Sequence, residues 1–294
     1  MSDIKLFVCC HKPVEVPKQS LLVPVQVGAA LAGCRFPGFL YDDSGDNISE
    51  KNRSYCELTA QYWAWKNVKA DYYGFFHYRR YLYPDEGAKL PYRIEKKASL
   101  PLLDKLGYGG FGELIPQYDL IVPKGEDMRI PVREHYAKAP FHHYRDLEAV
   151  EEIVCQKHPQ MAAAMETYLS GTVNYFGNIH IMSHDVFRDY CAWLFPLLEE
   201  FDRRTDFSGY SVQEQRVDGY LAERLLGIYL TFWRGELRTL ELPRVHFVPN
   251  ERERKKKQVL NALFPPGSRR RGLVKTVTED RRQGGQFYGR TDFL

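Results

Sequence analysis

The stretch YYGFFHYRRYLYP, residues 72–84, decides how this chain is read. It begins as a buried strand, with four aromatic residues around one glycine and no charge over five positions. His77, Arg79 and Arg80 then follow within four residues. Guanidinium groups stay charged at any cellular pH and have no use inside a sheet, so these side chains belong at a strand end. If the strand runs on to Arg80, its period of two sets His77 and Arg79 on one face and Tyr78 and Arg80 on the other.

Outward from this stretch, residues 4–11 (IKLFVCCH) read as a buried first strand and 23–28 (VPVQVG) as a second. Residues 41–52 are loop-like. A helix is predicted at about 55–68, where Ser54 and Glu57 have capping-box spacing and Leu58, Tyr62 and Trp65 form an apolar stripe. Residues 84–117, rich in Gly, Pro and Lys, read as an irregular insertion or lid. A short strand at 119–123, helices at about 146–157 and 159–170, and a strand at 177–183 come next. Helices at about 185–200 and 211–234 follow, the second opened by a capping box at Ser211 and Glu214, and strands at 237–242 and 245–249 close the body.

Strands alternating with helices predict an α/β fold with a mainly parallel sheet. Such sheets bind ligands outside the carboxyl ends of their strands, which is where HYRR falls. The segment CCHKP (9–13) sets His11 and Lys12 at the end of the first strand, lining the same crevice.

Charge divides the 294 residues unevenly: residues 251–294 hold 12 Lys/Arg against 5 Asp/Glu, and the first 250 hold 29 against 33. The expected organisation is a domain at 1–250 and a basic tail at 251–294. A mildly acidic body argues against a nucleic-acid-binding core. Six cysteines without a CxxC pair suggest neither zinc nor a disulfide framework. Without a signal peptide or a membrane-spanning run, the expected location is the cytoplasm. No GxSxG, HExxH, P-loop or GxGxxG motif occurs.

Two arginines beside a histidine suit a phosphate or diphosphate through bidentate, charge-assisted hydrogen bonds; salt bridges to acidic loops are the plain alternative. The three aspartates of DDSGDNIS (42–49) invite Mg²⁺ or Mn²⁺, but turn chemistry explains them as well. The reading favoured is therefore metal-independent, with the arginines in the cation's role. Lys66 and Asn67 close their helix within reach of the crevice, whereas Glu57 reads as a cap. Asn178, His180 and Met182 share one strand face, the first two being acceptor-side candidates. Arg216, Gly219 or Tyr220, and Glu223 form one helical stripe, for which an i, i+4 ion-pair network on a helix surface is the plain alternative. Asp218 near that helix start would stay ionised in the helix dipole, as a general base requires.

Taken in order over residues 4–250, HK after the first strand, DDSGDNIS, ELTAQYWAWKN, GFFHYRRYL, GNIHIMS…FRDYCAWLFPLLEE and GYLAERLL resemble a known family. It is a domain-of-unknown-function family from bacterial capsule, exopolysaccharide and O-antigen loci, whose members are regarded as glycosyltransferases. Some look like inverting galactofuranosyltransferases that use UDP-galactofuranose. The resemblance implies a GT-A-like, Rossmann-type nucleotide-sugar-binding domain in which the HYRR strand stands where an Asp-x-Asp metal site is usual. It implies that His11, Lys12, Asn47, Lys66 and Asn67 frame the nucleotide and that Arg79, Arg80 and Arg216 hold the diphosphate. Glu223 joins Asp218 and His77 as a catalytic candidate, with Glu214 behind them as a base.

The implied partners are a UDP-sugar donor and a glycan or polyprenyl-linked acceptor. KKK (255–257), VLNALF (259–264) and RRR (269–271) read as a peripheral anchor to the inner face of the membrane, or as a solvated terminus. The rival reading is a non-catalytic nucleotide- or polysaccharide-binding module. A phosphate-ester hydrolase using His77 ranks behind both.

Overall fold

The computed structural model describes residues 2–266 together with 268 and 270. Six strands arise before residue 100: β1 (Ile4–Cys10), β2 (Leu22–Gln26), β3 (Leu40–Tyr41), β4 (Tyr72–His77), β5 (Arg80–Leu82) and β6 (Tyr92–Glu95). Six more follow: β7 (Leu120–Pro123), β8 (Glu126–Asp127), β9 (Val173–Asn174), β10 (His180–Ser183), β11 (Thr239–Leu242) and β12 (Arg244–Phe247). The main sheet has the order β11-β7-β10-β4-β1-β2-β3. Its pairs are parallel except at β10, which runs antiparallel between β4 and β7. The mainly parallel α/β expectation therefore holds. β8 and β9 form a separate two-stranded ribbon.

Both faces of the sheet are covered, which is why β1 and β4 read as nearly continuous apolar runs. On one face Phe7, Tyr73, Phe75 and Met182 pack against the helices Leu58–Asn67, Tyr144–Lys157, Ala162–Ser170, His184–Arg204 and Val217–Phe232. On the other, Leu6, Val8, Phe76 and Ile181 meet Leu103, Tyr108, Phe111 and Ile115. Gly74 sits where β4 is squeezed between its neighbours; a Cβ there would lie 2.5 Å from Leu6 Cδ2.

The residues 84–117 are accordingly not a lid. Leu103, Tyr108, Phe111 and Ile115 are at most 1% exposed and seal the second face of the sheet. They lie in helical pieces of three to six residues, too short for a helical period to show.

The opening motif also differs from an extended strand. The chain reverses after His77, and His77 pairs antiparallel with Arg80 across the two-residue loop Tyr78–Arg79. β5 continues into pairing with β12, whose other partner is β6. The helix predicted at 55–68 is broken into Asn52–Tyr55 and Leu58–Asn67 by Cys56, whose φ of 51° is left-handed. Ser54 and Glu57 do not form a capping box, whereas Ser211 and Glu214 do bond reciprocally.

Beyond residue 250 the chain forms a helix, Glu251–Leu263, capped by Asn250, whose side chain accepts from the Glu253 N–H at 3.0 Å. It lies against β6 and the strand exit of β12: Gln258 donates to the Ile94 carbonyl at 3.2 Å and Arg254 to the Val248 carbonyl at 3.2 Å. No helix among the described residues is long and apolar enough to cross a membrane.

Candidate active site at the carboxyl edge of the sheet

The Tyr78–Arg79 hairpin concentrates charge at the ends of β1 and β4. Tyr78 N–H donates to the Cys9 carbonyl at 3.1 Å, which binds the loop to the exit of β1. That contact brings in His11, whose ring lies 5.2 Å from Tyr78 and 6.3 Å from His77. Lys12 Nζ and the Arg79 guanidinium lie 5.3 Å and 5.4 Å from the Tyr78 ring. Both cations are thus oriented by the ring face.

The two histidines are neutral. Burial first, then Arg80 and Arg79, holds the His77 pKa well below its ordinary value. Burial, then Lys12, Arg79 and Arg216, lowers that of His11 to about 4. The Arg79 N–H donates to His77 Nδ1 at 3.1 Å, so the imidazole proton resides on Nε2. Nε2 stands 3.8 Å from Glu57 Oε1. Glu57, read from sequence as a cap, is therefore a member of the site. The left-handed break at Cys56 turns its carboxylate toward His77.

Arg80 is half-buried, and burial together with Arg244 lowers its pKa to about 10, so it stays charged at neutral pH. Arg216 Nε donates to Cys56 Sγ at 3.3 Å, and its guanidinium lies 5.9 Å from the Tyr220 ring. Among the described residues, Lys12, Arg79, Arg80 and Arg216 form no ion pair with a carboxylate. Glu57 acts through space on Arg80 and Arg216, and Glu223 on Arg80, but neither forms an ion pair with them, so structural salt bridges do not account for the four cations, whose charge suits an anion.

Glu223 lies on the same side. Oε1 accepts from the Gly177 N–H at 2.7 Å and Oε2 from Arg224 Nη1 at 2.8 Å, while burial raises its pKa. It lines a cavity of about 380 Å³ with Arg79, Arg80 and Arg244. The Arg244 guanidinium is 2% exposed and is fixed by Glu126 and by the Phe176 carbonyl.

The other expected site residues do not line that cavity. Asp218 is fully buried, accepts from the Ser54 hydroxyl and does not line the cavity. Burial and nearby Asp202 push its pKa up to about 8, so desolvation outweighs the helix dipole that was expected to keep it ionised. His180 is 1% exposed between Phe75 and Tyr190, its pKa lowered to about 3 by burial; it is a core residue. Asn178, at a left-handed φ of 49°, donates to the Gly219 carbonyl at 2.9 Å.

Asn47 and Asn67 tie down the 45–49 loop: Asn47 donates to the Gly45 carbonyl and Asn67 to that of Asp46. Lys66 Nζ sits 3.6 Å above Trp65, which stacks on Phe195. The aspartates of the loop are engaged too. Asp42 accepts from the N–H groups of Gly28 and Ala29, Asp43 from Arg35, and Asp46 from the Tyr62 hydroxyl. No group of three or more His, Cys, Asp or Glu residues among those described is arranged to hold a metal.

Glu57, Arg244, Glu126 and His246 were not found from sequence. The one available signal was an arginine and a histidine inside the apolar strand RVHF.

A family model described as Domain of unknown function (DUF4422) matches residues 5–234. The chain belongs to this family. The DUF4422 region includes His11, Glu57, the hairpin and Glu223, and it ends before β12 and the Glu251–Leu263 helix. Among solved structures, the apo structure of WbbM, a bifunctional glycosyltransferase, is similar at 32% identity and a TM-score of 0.78. The match covers 83% of this chain and 45% of that one, so the chain spans less than half the length of its structural relative. The DUF4422 fold here is GT-A-like. No curated protein matches the chain.

Proposed function

We propose that the chain is a glycosyltransferase that moves a sugar, galactofuranose in the narrowest form of the proposal, from a UDP-sugar to a glycan or lipid-linked acceptor. The observation that carries it is the set of four cations without a carboxylate ion pair: Lys12, Arg79 and Arg80 follow the carboxyl ends of β1 and β4, and Arg216 joins them from the start of the Val217–Phe232 helix. The similarity to a bifunctional glycosyltransferase supports the same reading.

In the reaction, the bond from the anomeric carbon to the diphosphate oxygen breaks and its electron pair leaves with UDP. Negative charge grows on the departing diphosphate, and fixed guanidinium groups stabilise that state more than the ground state. Arg79 and Arg80 take this role, which makes a divalent cation dispensable in the proposal. An acceptor hydroxyl attacks the opposite face, with inversion, and its proton passes to a carboxylate. Glu223 is that base, because Asp218 is sealed behind Ser54. His77 supplies no charge; it positions the loop through Arg79 N–H and presents Nε2–H to Glu57.

A place at the inner face of an anionic membrane belongs to the same proposal. On the Glu251–Leu263 helix, Val259 and Leu263 are 57% and 59% exposed, and Lys255 is one turn before Val259. The second basic run, 269–271, lies largely outside the described residues.

The test is a thermal-shift series with UDP, GDP, CDP and TDP, each with Mn²⁺ and with EDTA. A ligand bound only by the native state adds roughly 2.7 kcal/mol at a hundredfold excess over Kd. A UDP-selective shift that survives EDTA supports the proposal. A shift that requires Mn²⁺ removes metal independence, and no shift with any nucleotide removes the donor assignment in favour of a saccharide-binding module.

A further inference from the structure

We propose that the cavity between β12 and the Glu251–Leu263 helix is the acceptor subsite and that it takes a saccharide. The inference rests on the glycosyltransferase reading and names the acceptor chemistry of that site.

Position is the first argument. Arg80 and Glu223 line this cavity, and Arg80 pairs with His246 of β12, so the cavity opens from the cation cluster itself. Its volume, about 380 Å³, is within the range of about 300–1,000 Å³ usual for small-ligand sites.

Wall chemistry is the second. Tyr92 stacks on His246 with parallel ring planes and centroids 4.4 Å apart, and both rings line the cavity with Phe247 and Leu260. Opposite charges alternate around them. Arg244 engages Oε1 of Glu126, and Oε2 takes no hydrogen bond among the described residues. Glu253 Oε1 pairs with Lys257 Nζ at 2.6 Å. Sugar rings present apolar C–H faces and hydroxyl edges, which suit ring surfaces beside carboxylates. An isoprenoid chain would desolvate Glu126, Glu253 and Lys257 without giving them a hydrogen bond, an unfavourable exchange.

Glu253, Lys257 and Leu260 lie beyond residue 234, where the family match ends. The helix is held by Asn250, by the bonds of Arg254 and Gln258, and by Tyr92, whose hydroxyl donates to Asn261 Oδ1 at 3.3 Å. Acceptor choice therefore resides in a segment outside the shared domain, while donor chemistry resides inside it.

The experiment is saturation-transfer NMR on the full chain with methyl glycosides of galactose, glucose, mannose and N-acetylglucosamine, alongside UDP titrations. Wild type is expected to bind at least one glycoside. Leu260→Trp, which fills the cavity, should weaken that binding at least tenfold while UDP affinity stays within twofold. Should Leu260→Trp fail to fold by circular dichroism, Glu253→Gln takes its place, with a loss of roughly tenfold expected for a charged hydrogen bond. Unchanged glycoside binding in the folded variant, or none in wild type, overturns the inference. Failure of the donor reading is distinct: wild type would bind a glycoside in the cavity and no UDP.

Discussion

The backbone N–H of Arg79 donates to Nδ1 of His77 across 3.1 Å, and the opposite nitrogen faces Glu57 at 3.8 Å. One short turn thereby sets the tautomer of the imidazole and the direction of both arginines. His77 remains neutral because burial and two guanidinium groups oppose a further positive charge.

That neutrality has a measurable sign. The folded pKa of His77 is depressed, so its contribution to stability is present above the ordinary histidine pKa of about 6.5 and is lost as pH falls below it. The ring proton resonances of His77 should show no midpoint near the ordinary histidine value while the protein is folded. A midpoint near 6.5 in an NMR titration would contradict the neutral imidazole.

Arg79→Ala should leave the fold intact, since the Arg79 N–H is retained and its side chain makes no ion pair among the described residues. Removing a charge-assisted contact to diphosphate costs about 1.5–3 kcal/mol, roughly a tenfold to hundredfold loss of UDP affinity. Calorimetric titration reads it directly. Affinity equal to wild type would remove Arg79 from the donor site.

Glu223→Gln separates binding from chemistry. With the base lost, kcat should fall by about 10²–10⁴ while UDP binding changes little. In wild type, the burial-raised pKa of Glu223 means that kcat/KM for the acceptor rises with pH as this carboxylate ionises. Asp218→Asn should leave kcat within a few-fold. A kcat collapse in Asp218→Asn with Glu223→Gln active would reverse the assignment.

Asp218 should instead appear in stability. Its folded pKa, about 8, is raised from the ordinary 3.8, so the folded state keeps a proton that the unfolded state releases between these values. Stability from this group is full below about pH 3.8 and is lost as pH rises toward 8, at up to about 1.4 kcal/mol per pH unit. Denaturant melts from pH 4 to 8 should show a flatter profile for Asp218→Asn than for wild type. Parallel profiles would refute the protonated carboxyl.

Much of the fold was legible because β1 and β4 are buried on both faces and leave an unmistakable apolar pattern that ends in charge. The same pattern placed His11, Lys12, Arg79 and Arg80 at one edge. The reversal at Tyr78–Arg79 was hidden because neither residue is a turn former such as Gly, Asn or Pro. Glu57 was misread because Ser54 and Glu57 have the spacing of a cap, and only the left-handed Cys56 between them spoils it. Asp218 and His180 misled for one shared reason: a polar residue on a helix or strand does not reveal which face is dry. Burial of Asp218 against Ser54 depends on a contact 164 residues apart in sequence.

The hairpin has a mechanical consequence. His77 belongs to the central sheet through β4, and Arg80, three residues later, belongs to the β5–β12–β6 group through His246. Enzymes that join two substrates commonly bring them together by closing one lobe on another. Here the two sides of the crevice are joined through Arg80, which pairs with His77 on one side and with His246 on the other, so their spacing is a matter of register and does not wait on a hinge.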